Sequence, residues 1–328
     1  MSALFSAVDL RIDPEAETQR IVSSLRRQLL KDLNRRGAVV GLSGGVDSSV
    51  VAALCVRAVG PKKVLGIMMP EQDNDPDSLR LGREVAQQLR IDSVVEDITP
   101  ILAGAGCYRR RDEYIRRLFP EYGPGYRCKI VARKAQAGGY NMSYLVIQSP
   151  ATGEKAAEIK EARMPIDVYF GVVAATNMKQ RTRKQIEYYH ADRLNYAVAG
   201  TPNRLEYDQG FFVKNGDGSA DVKPIAHLYK SQVYQLAEYL GVPDEIRRRT
   251  PTTDTYSMAQ TQEEFYFGIP LAKLDLCVYA LDHGVPAADA APAVGLAPEQ
   301  VEEVYRDILG KRRTTRYQHQ PPMLVDGA

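Results

Sequence analysis

The feature that most constrains this chain is a glycine-rich turn between two apolar runs. The stretch "GLSGGVDSSV", residues 41–50, follows the run "AVVGL" and leads into "VVAALCVRAV". A strand that ends in a glycine turn and opens a helix begins a βαβ unit, and the helix N-terminus can bind phosphate. The mononucleotide pattern G-x-x-x-x-G-K-[ST] ends in a lysine. Here an acid, Asp47, opens the helix, which indicates a different kind of phosphate site.

Alternating strand and helix patterns continue around this turn. Apolar residues at helical spacing predict a helix over residues 18–36, which Gly37 can end. The next predicted segments are strand 38–42, helix 50–59, strand 64–69, helix 79–89 and strand 92–97. This alternation predicts an α/β fold with a doubly wound, mostly parallel sheet that is flanked by helices.

The middle of the chain is less regular. Residues 101–165 read as a basic amphipathic helix, then a loop, then a hairpin that turns at "SPATGE". Periodicity leaves residues 167–177 undecided between a strand and the beginning of the helix predicted over 180–195. A strand at 196–201 then returns the chain to the sheet.

Helical patterns dominate the C-terminal part. One helix covers residues 231–240 and ends at Gly241, and another covers 297–309. No repeat of solenoid length is present. We therefore expect a single α/β domain over residues 1–328 with a helical C-terminal extension over 270–328.

Composition excludes several classes of protein. The chain has 43 Lys+Arg against 41 Asp+Glu, so its net charge of +2 does not resemble that of a nucleic-acid binder. No stretch has the length of apolar sequence that a membrane span needs, and the N-terminus does not resemble a signal peptide. The four cysteines form no C-x-x-C pair, which argues against a structural zinc site. We expect a cytoplasmic protein that contacts neither membrane nor nucleic acid.

A carboxylate in a phosphate-binding turn needs a cation beside it. Gly44 and Gly45 permit close backbone approach to phosphate, and Mg²⁺ held by carboxylates and phosphate oxygens would compensate the charge of Asp47. A turn that grips the two terminal phosphates leaves the α-phosphorus open to attack, which favours AMP transfer. The alternative is that Asp47 only caps the helix.

The motif S-G-G-x-D-S resembles the loop of the N-type ATP pyrophosphatases, the PP-loop superfamily. Residues 177–254 resemble the ammonia-dependent NAD synthetase family in three segments: "NMKQRTR", "GTPNRLEYDQGFFVKNGDGSADVKPIAHLYKSQV" and "PTTD". The resemblance implies the adenine nucleotide alpha hydrolase-like fold and a requirement for ATP and Mg²⁺.

The resemblance also implies roles for individual residues. Asp47 and Glu206 would be the magnesium ligands. ATP contacts would come from Gly41, Leu42, Ser43, Gly44, Gly45, Val46, Ser48, Ser49, Thr201, Lys230 and Thr252. Lys230 would also neutralise the departing pyrophosphate, and Asp217 would position ammonium or accept its proton, although "NGDG" is equally typical of a plain turn. The substrate contacts would be Arg181, Lys214, Asp221 and Lys311.

The interval 101–165 is longer than in compact members of that family. Its arginines could extend a dimer interface or contact an anion, and the simpler interpretation is a basic helix face paired with Asp112, Glu113 and Glu121. The family's enzymes are homodimers, so a homodimer is expected.

The function implied is ATP-dependent conversion of nicotinic acid adenine dinucleotide (deamido-NAD) and ammonia to NAD, through an adenylated intermediate, with release of AMP and pyrophosphate. The alternative is the same chemistry on a different carboxylate. Residues 1–37 are too few for a glutaminase domain ahead of the first strand, so we expect free ammonia as the nitrogen source unless a separate subunit supplies it.

Overall fold

The computed structural model describes residues 5–133, 142–151, 156–253 and 255–325. In chain order the strands are β1 Ala38–Gly41, β2 Val64–Met68, β3 Asp92–Val95, β4 Arg127–Arg133, β5 Met142–Gln148, β6 Ile159–Arg163 and β7 Ala197–Ala199. The α-helices are α1 Pro14–Arg27, α2 Val46–Val59, α3 Pro76–Gln88, α4 Thr99–Gly104, α5 Cys107–Arg116, α6 Ile166–Leu194, α7 Arg204–Gln209, α8 Lys230–Tyr239, α9 Asp244–Arg248, α10 Leu271–Asp282, α11 Ala287–Val294 and α12 Pro298–His319.

A parallel sheet of order β3-β2-β1-β7 forms the centre of the fold. Ala38 of β1 pairs with Val64 of β2 on one side and with Ala197 of β7 on the other. The chain runs outward from β1 through β2 to β3 and then returns to β7, so the direction of winding reverses between β1 and β7. In open parallel sheets, ligands bind at the carboxyl ends of the strands beside such a switch point. The fold therefore places a binding crevice beyond Gly41 and Ala199.

Both faces of this sheet are covered by helices, as its sequence pattern predicts. Ala38 and Val40 pack in one core cluster with side chains of α1, α2 and α8. Val39, between them, points to the opposite face and packs with side chains of α4, α5 and α6. Successive residues of a strand point to opposite faces, so one buried strand contributes to two cores. The predicted doubly wound parallel sheet is confirmed.

The segment around residues 101–165 forms a second, antiparallel sheet of order β4-β5-β6. The hairpin prediction is confirmed, since Gln148 of β5 pairs with Ile159 of β6. Of its predicted turn, residues 152–154 lie outside the described residues. The sequence interpretation missed β4, which it took for a loop. The sheet packs against α5 and the beginning of α6 around a core that includes Ile130, Leu145 and Val172.

Several helices differ in length from their predictions, among them α12, which continues to His319. The undecided residues 167–177 are the first half of α6, a single helix that ends where Asn195 adopts φ 55°. The first helix begins earlier than expected, at Pro14, because Asp13 accepts hydrogen bonds from Glu15 N and Ala16 N. It continues through a π-helical turn over Gln28–Asp32 and does not extend to residue 36.

The C-terminal part is helical, as predicted. Helices α10, α11 and α12 share a core cluster with Leu205 of α7 and Tyr229. This packing attaches the C-terminal helices to the two segments that follow β7. Among the described residues, every helix is too short or too polar to cross a membrane.

A buried charge network ties α5 to the central fold. Lys179 of α6 is 1% exposed and donates to Glu71 (3.0 Å) and Asp73 (2.7 Å). Arg111 of α5 also pairs with Asp73, and both side chains are almost fully buried. The sequence interpretation paired the arginines of this helix with nearby acids such as Asp112, which Arg111 does contact at 2.9 Å, and it missed Asp73 because that residue is distant in the chain.

Arg111→Ala is expected to lower the free energy of unfolding by about 3–5 kcal/mol, because it removes one of the two cations, Arg111 and Lys179, that pair with the buried carboxylate of Asp73. Arg109→Ala is the matched control on the same helix, since Arg109 is exposed and pairs with exposed Glu113. It should cost less than about 1 kcal/mol. Urea unfolding of both variants measures the difference, and equal losses would contradict a structural role for the network.

Candidate active site

The glycine turn lies at the carboxyl end of β1 and is held by its own serines. Gly45 is the N-cap residue of α2, and its carbonyl accepts hydrogen bonds from the Ser48 (3.0 Å) and Ser49 (2.8 Å) hydroxyls. Ser43 N donates to Ser48 Oγ at 3.3 Å. Gly44 has φ +73°, a conformation that L side chains rarely adopt. The turn is thus fixed at the N-terminus of a 14-residue helix, where the helix dipole favours an anion.

Three charged side chains from three elements meet beside this turn. Asp47 is the second residue of α2, Glu206 lies in α7 and Lys230 is the first residue of α8. Lys230 Nζ donates to Asp47 Oδ2. The Lys230 side chain is 3% exposed and that of Asp47 is 17% exposed. We call Asp47, Glu206 and Lys230 the charge triad.

Asn203 connects the two carboxylates of the charge triad. Its Nδ2 donates to Asp47 Oδ1 at 3.2 Å, and its backbone N–H donates to Glu206 Oε2 at 3.1 Å. Glu206 N donates in turn to Asn203 Oδ1, which completes a capping box at the start of α7. Gln262 Nε2 donates to the other oxygen of Glu206 at 2.9 Å. The sequence interpretation missed Asn203 and Gln262, although the N-x-x-E spacing of "NRLE" is a capping-box signal.

Proximity of the charges changes their protonation. Burial, and then the negative charge of Asp47, raise the pKa of the Glu206 carboxyl to about 7. Burial by itself would lower the pKa of the Lys230 ammonium, but the charges of Asp47 and Glu206 outweigh it and keep this pKa above the ordinary lysine value. Lys230 is therefore a cation, and Glu206 can change its charge near neutral pH.

A cavity of about 690 Å³ opens at this point, a volume typical of small-molecule sites. Its walls contain most of the residues that the sequence singled out: Gly41, Leu42, Ser43, Gly45, Val46, Asp47, Ser48, Thr201, Glu206, Asp217, Lys230 and Thr252. Gly44, in the turn, and Ser49, in the first turn of α2, do not line the cavity. The structure thus brings the turn, the charge triad and the two threonines to one cavity.

Asp217 lies on another part of the cavity wall. It is half-buried, and its Oδ1 accepts a hydrogen bond from Val213 N at 2.8 Å. Burial raises the pKa of its carboxyl, against that hydrogen bond and the nearby Lys184 ammonium, which both lower it. Lys184 forms a buried ion pair with Glu187 (2.5 Å), and both residues line the cavity. The sequence interpretation missed this pair, because only the path of α6 turns it inward.

The four residues predicted to contact substrate lie away from the cavity wall. Arg181 is exposed and donates to Lys214 O, and Lys214 Nζ donates to Tyr317 O and Gln320 O at the end of α12. Asp221 accepts from Val198 N at 2.7 Å. Lys311 pairs with Asp307 and donates to Tyr266 O. Their roles in substrate binding stay predictions.

The chain is similar to known proteins over nearly its whole length. The family model described as NAD synthase matches residues 17–114 and 140–322. A relative from Rhizobium meliloti (strain 1021), named NH(3)-dependent NAD(+) synthetase, is 62% identical over 98% of this chain and 95% of its own length.

Two solved structures resemble this fold. The NMN synthetase from Francisella tularensis has a TM-score of 0.64 at 21% identity, and the match covers 96% of this chain and all of that one. The NH3-dependent NAD synthetase from Campylobacter jejuni, solved with a nitrate ion, has a TM-score of 0.61 at 20% identity and the same coverage. At this level of identity the likeness shows the fold alone.

Gly44→Ala is expected to weaken ATP binding by about tenfold or more, equivalent to ~1.4 kcal/mol. An added Cβ would lie 2.7 Å from Ser78 O and displace the turn from α3. Gly284→Ala is the matched control, since Gly284 has φ +68° but open space around it. Both variants carry the backbone strain of about 1–2 kcal/mol, and the control should bind ATP normally. Isothermal titration calorimetry measures both, and normal binding by Gly44→Ala would contradict a close-fitting turn.

Proposed function

The chain belongs to the NAD synthase family and catalyses the ATP-dependent amidation of deamido-NAD by ammonia, and we propose that the charge triad and the glycine turn carry out its adenylation step. The observation that supports this assignment is the meeting of Asp47, Glu206 and Lys230 at the end of the turn. The relative named NH(3)-dependent NAD(+) synthetase matches nearly the whole chain at 62% identity. This match disfavours the alternative that the enzyme acts on a different carboxylate.

The reaction needs an activated carboxylate, because a carboxylate ion is a poor electrophile. In the first step a carboxylate oxygen of the substrate attacks the α-phosphorus of ATP. A new O–P bond forms, and the bond to pyrophosphate breaks. In the second step ammonia attacks the carbonyl carbon, the C–O bond to AMP breaks, and nitrogen loses a proton as the amide forms. AMP and pyrophosphate are released.

The glycine turn would hold the terminal phosphates through its backbone and the N-terminus of α2. Thr201 and Thr252, which line the same cavity, would also contact ATP. The Lys230 ammonium, buried beside Asp47, would neutralise charge that develops on the departing pyrophosphate. A preorganised cation in a site shielded from water stabilises such charge more than water does.

The residues present fit a magnesium ion. Asp47 and Glu206 supply two carboxylates that Asn203 holds side by side. Among the described residues, His, Cys, Asp and Glu do not gather in any group of three or more that could hold a metal. Two carboxylates that act together with phosphate oxygens are a common Mg²⁺ arrangement, since this ion keeps waters and rarely occupies an all-protein cage. When bound, Mg²⁺ would neutralise charge on the phosphates.

We propose that Asp217 would position ammonium or accept its proton where the substrate carboxyl group reacts. Its position on the cavity wall and the raised pKa of its carboxyl support this role. Arg181, Lys214, Asp221 and Lys311 would contact the dinucleotide if the ends of α12 and of the loop around Lys214 rearrange when substrate binds.

We also propose a cytoplasmic homodimer. Ile166, Phe170 and Tyr189 on α6 are 60–66% exposed, which supports an apolar contact surface on this helix. All four cysteines are buried thiols, which suits a reducing compartment.

Asp47→Asn should lower kcat/KM by about 10²–10³, because it removes a charge at the reacting phosphates and leaves the side-chain shape unchanged. Asp77→Asn is the matched control, since Asp77 holds the same second position of α3 and is exposed. Formation of AMP and pyrophosphate, followed with ammonium chloride as nitrogen source, measures both variants. A fully active Asp47→Asn variant would contradict the proposed role of Asp47 in adenylation.

Binding of MgATP at pH 6.5 should release protons, because the Glu206 carboxyl is largely protonated below its pKa of about 7 and a metal binds only the carboxylate. The release assigned to Glu206 should vanish by pH 8.5, where the group is already ionised. Calorimetry in two buffers of different ionisation enthalpy counts the protons. Glu206→Gln is the reference that subtracts those of ATP itself, and equal proton release by the two proteins would contradict metal binding at Glu206.

A further inference from the structure

A buried carboxylate from the C-terminal helices lies at the start of α8. Asp275 of α10 is 0% exposed. Its Oδ1 accepts from Lys230 N at 3.1 Å and its Oδ2 accepts from Ser231 N at 2.7 Å. These are the first two residues of α8.

The first N–H groups of a helix lack partners within the helix, and a side chain near the N-cap commonly supplies one. The N-cap residue of α8 is Tyr229, whose backbone N–H donates to Gln232 Oε1. The acceptor for the next two N–H groups comes from a helix 45 residues further along the chain.

Asp275 is an unfavourable cap, because moving a carboxylate from water into the protein interior costs free energy. Burial raises the pKa of the Asp275 carboxyl to about 6, against the two backbone hydrogen bonds that lower it. An ordinary N-cap, such as Asp13 on α1, meets the same need at the surface. Helix capping alone therefore does not require a buried carboxylate at this place.

The residue that Asp275 holds is the lysine of the charge triad. The Lys230 backbone is fixed by Asp275 and its Nζ is fixed by Asp47. The same C-terminal segment also supplies Gln262, which donates to Glu206. Gln262 and Asp275 therefore contact two members of the charge triad.

We propose that Asp275 is a positioning residue for the adenylation step: it fixes the start of α8 so that the Lys230 ammonium stays on Asp47 at the cavity wall. This rests on the proposed role of Lys230. The C-terminal helices are then part of the catalytic framework, because one of their side chains acts through Lys230 on the reacting phosphates.

The test is a double-mutant cycle between Asp275→Asn and Lys230→Met, with Asp13→Asn as the matched control. Asp13 also accepts two first-turn N–H groups, from Glu15 and Ala16, but on a helix with no residue on the cavity wall. Asp275→Ser, smaller and with one acceptor oxygen, is the second variant. Initial rates of AMP formation are measured at a temperature at which circular dichroism shows that each protein is folded.

Asp275→Asn should lower kcat about tenfold and change the KM for deamido-NAD less than twofold, whereas Asp13→Asn should leave kcat within twofold. In the Lys230→Met background, Asp275→Asn should lower kcat less than twofold, since residues that act as a unit are not additive. An unchanged kcat in Asp275→Asn, or an equal loss in both backgrounds, would overturn the proposal. Lys230→Met with normal activity would instead refute the proposed role of Lys230, whatever Asp275→Asn does.

Discussion

Attraction between one buried lysine and two neighbouring carboxylates is the interaction on which the site depends. Two unit charges 4 Å apart interact by about 4 kcal/mol at an effective dielectric constant near 20, so Asp47 and Glu206 could not both stay ionised side by side without a cation. Lys230 supplies that cation in the protein itself, while burial and then the negative charge of Asp47 still raise the pKa of Glu206. The unusual carboxylate in the glycine turn "GLSGGVDSSV" therefore serves to attract positive charge to the phosphate site.

The fold brings these charges together because of where its strands end. Asp47 follows β1 and Glu206 follows β7, the two strands on either side of the switch point. Lys230 comes from α8, which packs on the same face of the sheet as α2. Gln262, which precedes the C-terminal helices, and Asp275 of α10 then hold Glu206 and the start of α8 through hydrogen bonds. A site assembled from four parts of the chain is rigid only when all four are folded, which links its activity to the packing of residues far from the cavity.

Much of this architecture could be predicted from local sequence. Strands buried on both faces and a glycine turn have strong local signals, so the parallel sheet and the turn were predictable. The family resemblance supplied Glu206, Thr201 and Thr252, which the structure places on one cavity wall with Asp47. Local patterns could not reveal Arg111 with Asp73, Lys184 on the cavity wall, or Asp275 beneath Lys230, because each depends on a contact between distant segments. Strand β4 does carry a local signal, because Arg127, Lys129 and Arg133 alternate with the buried Cys128 and Ile130, and the sequence interpretation overlooked it.

The central claim is that the cavity directs a carboxylate oxygen to the α-phosphorus of ATP. The most direct measurement uses deamido-NAD labelled with ¹⁸O in the nicotinic acid carboxylate and mass spectrometry of the nucleotide products. Each AMP should carry one labelled oxygen, and the NAD amide should keep the other. Unlabelled AMP, or ADP as the nucleotide product, would contradict it.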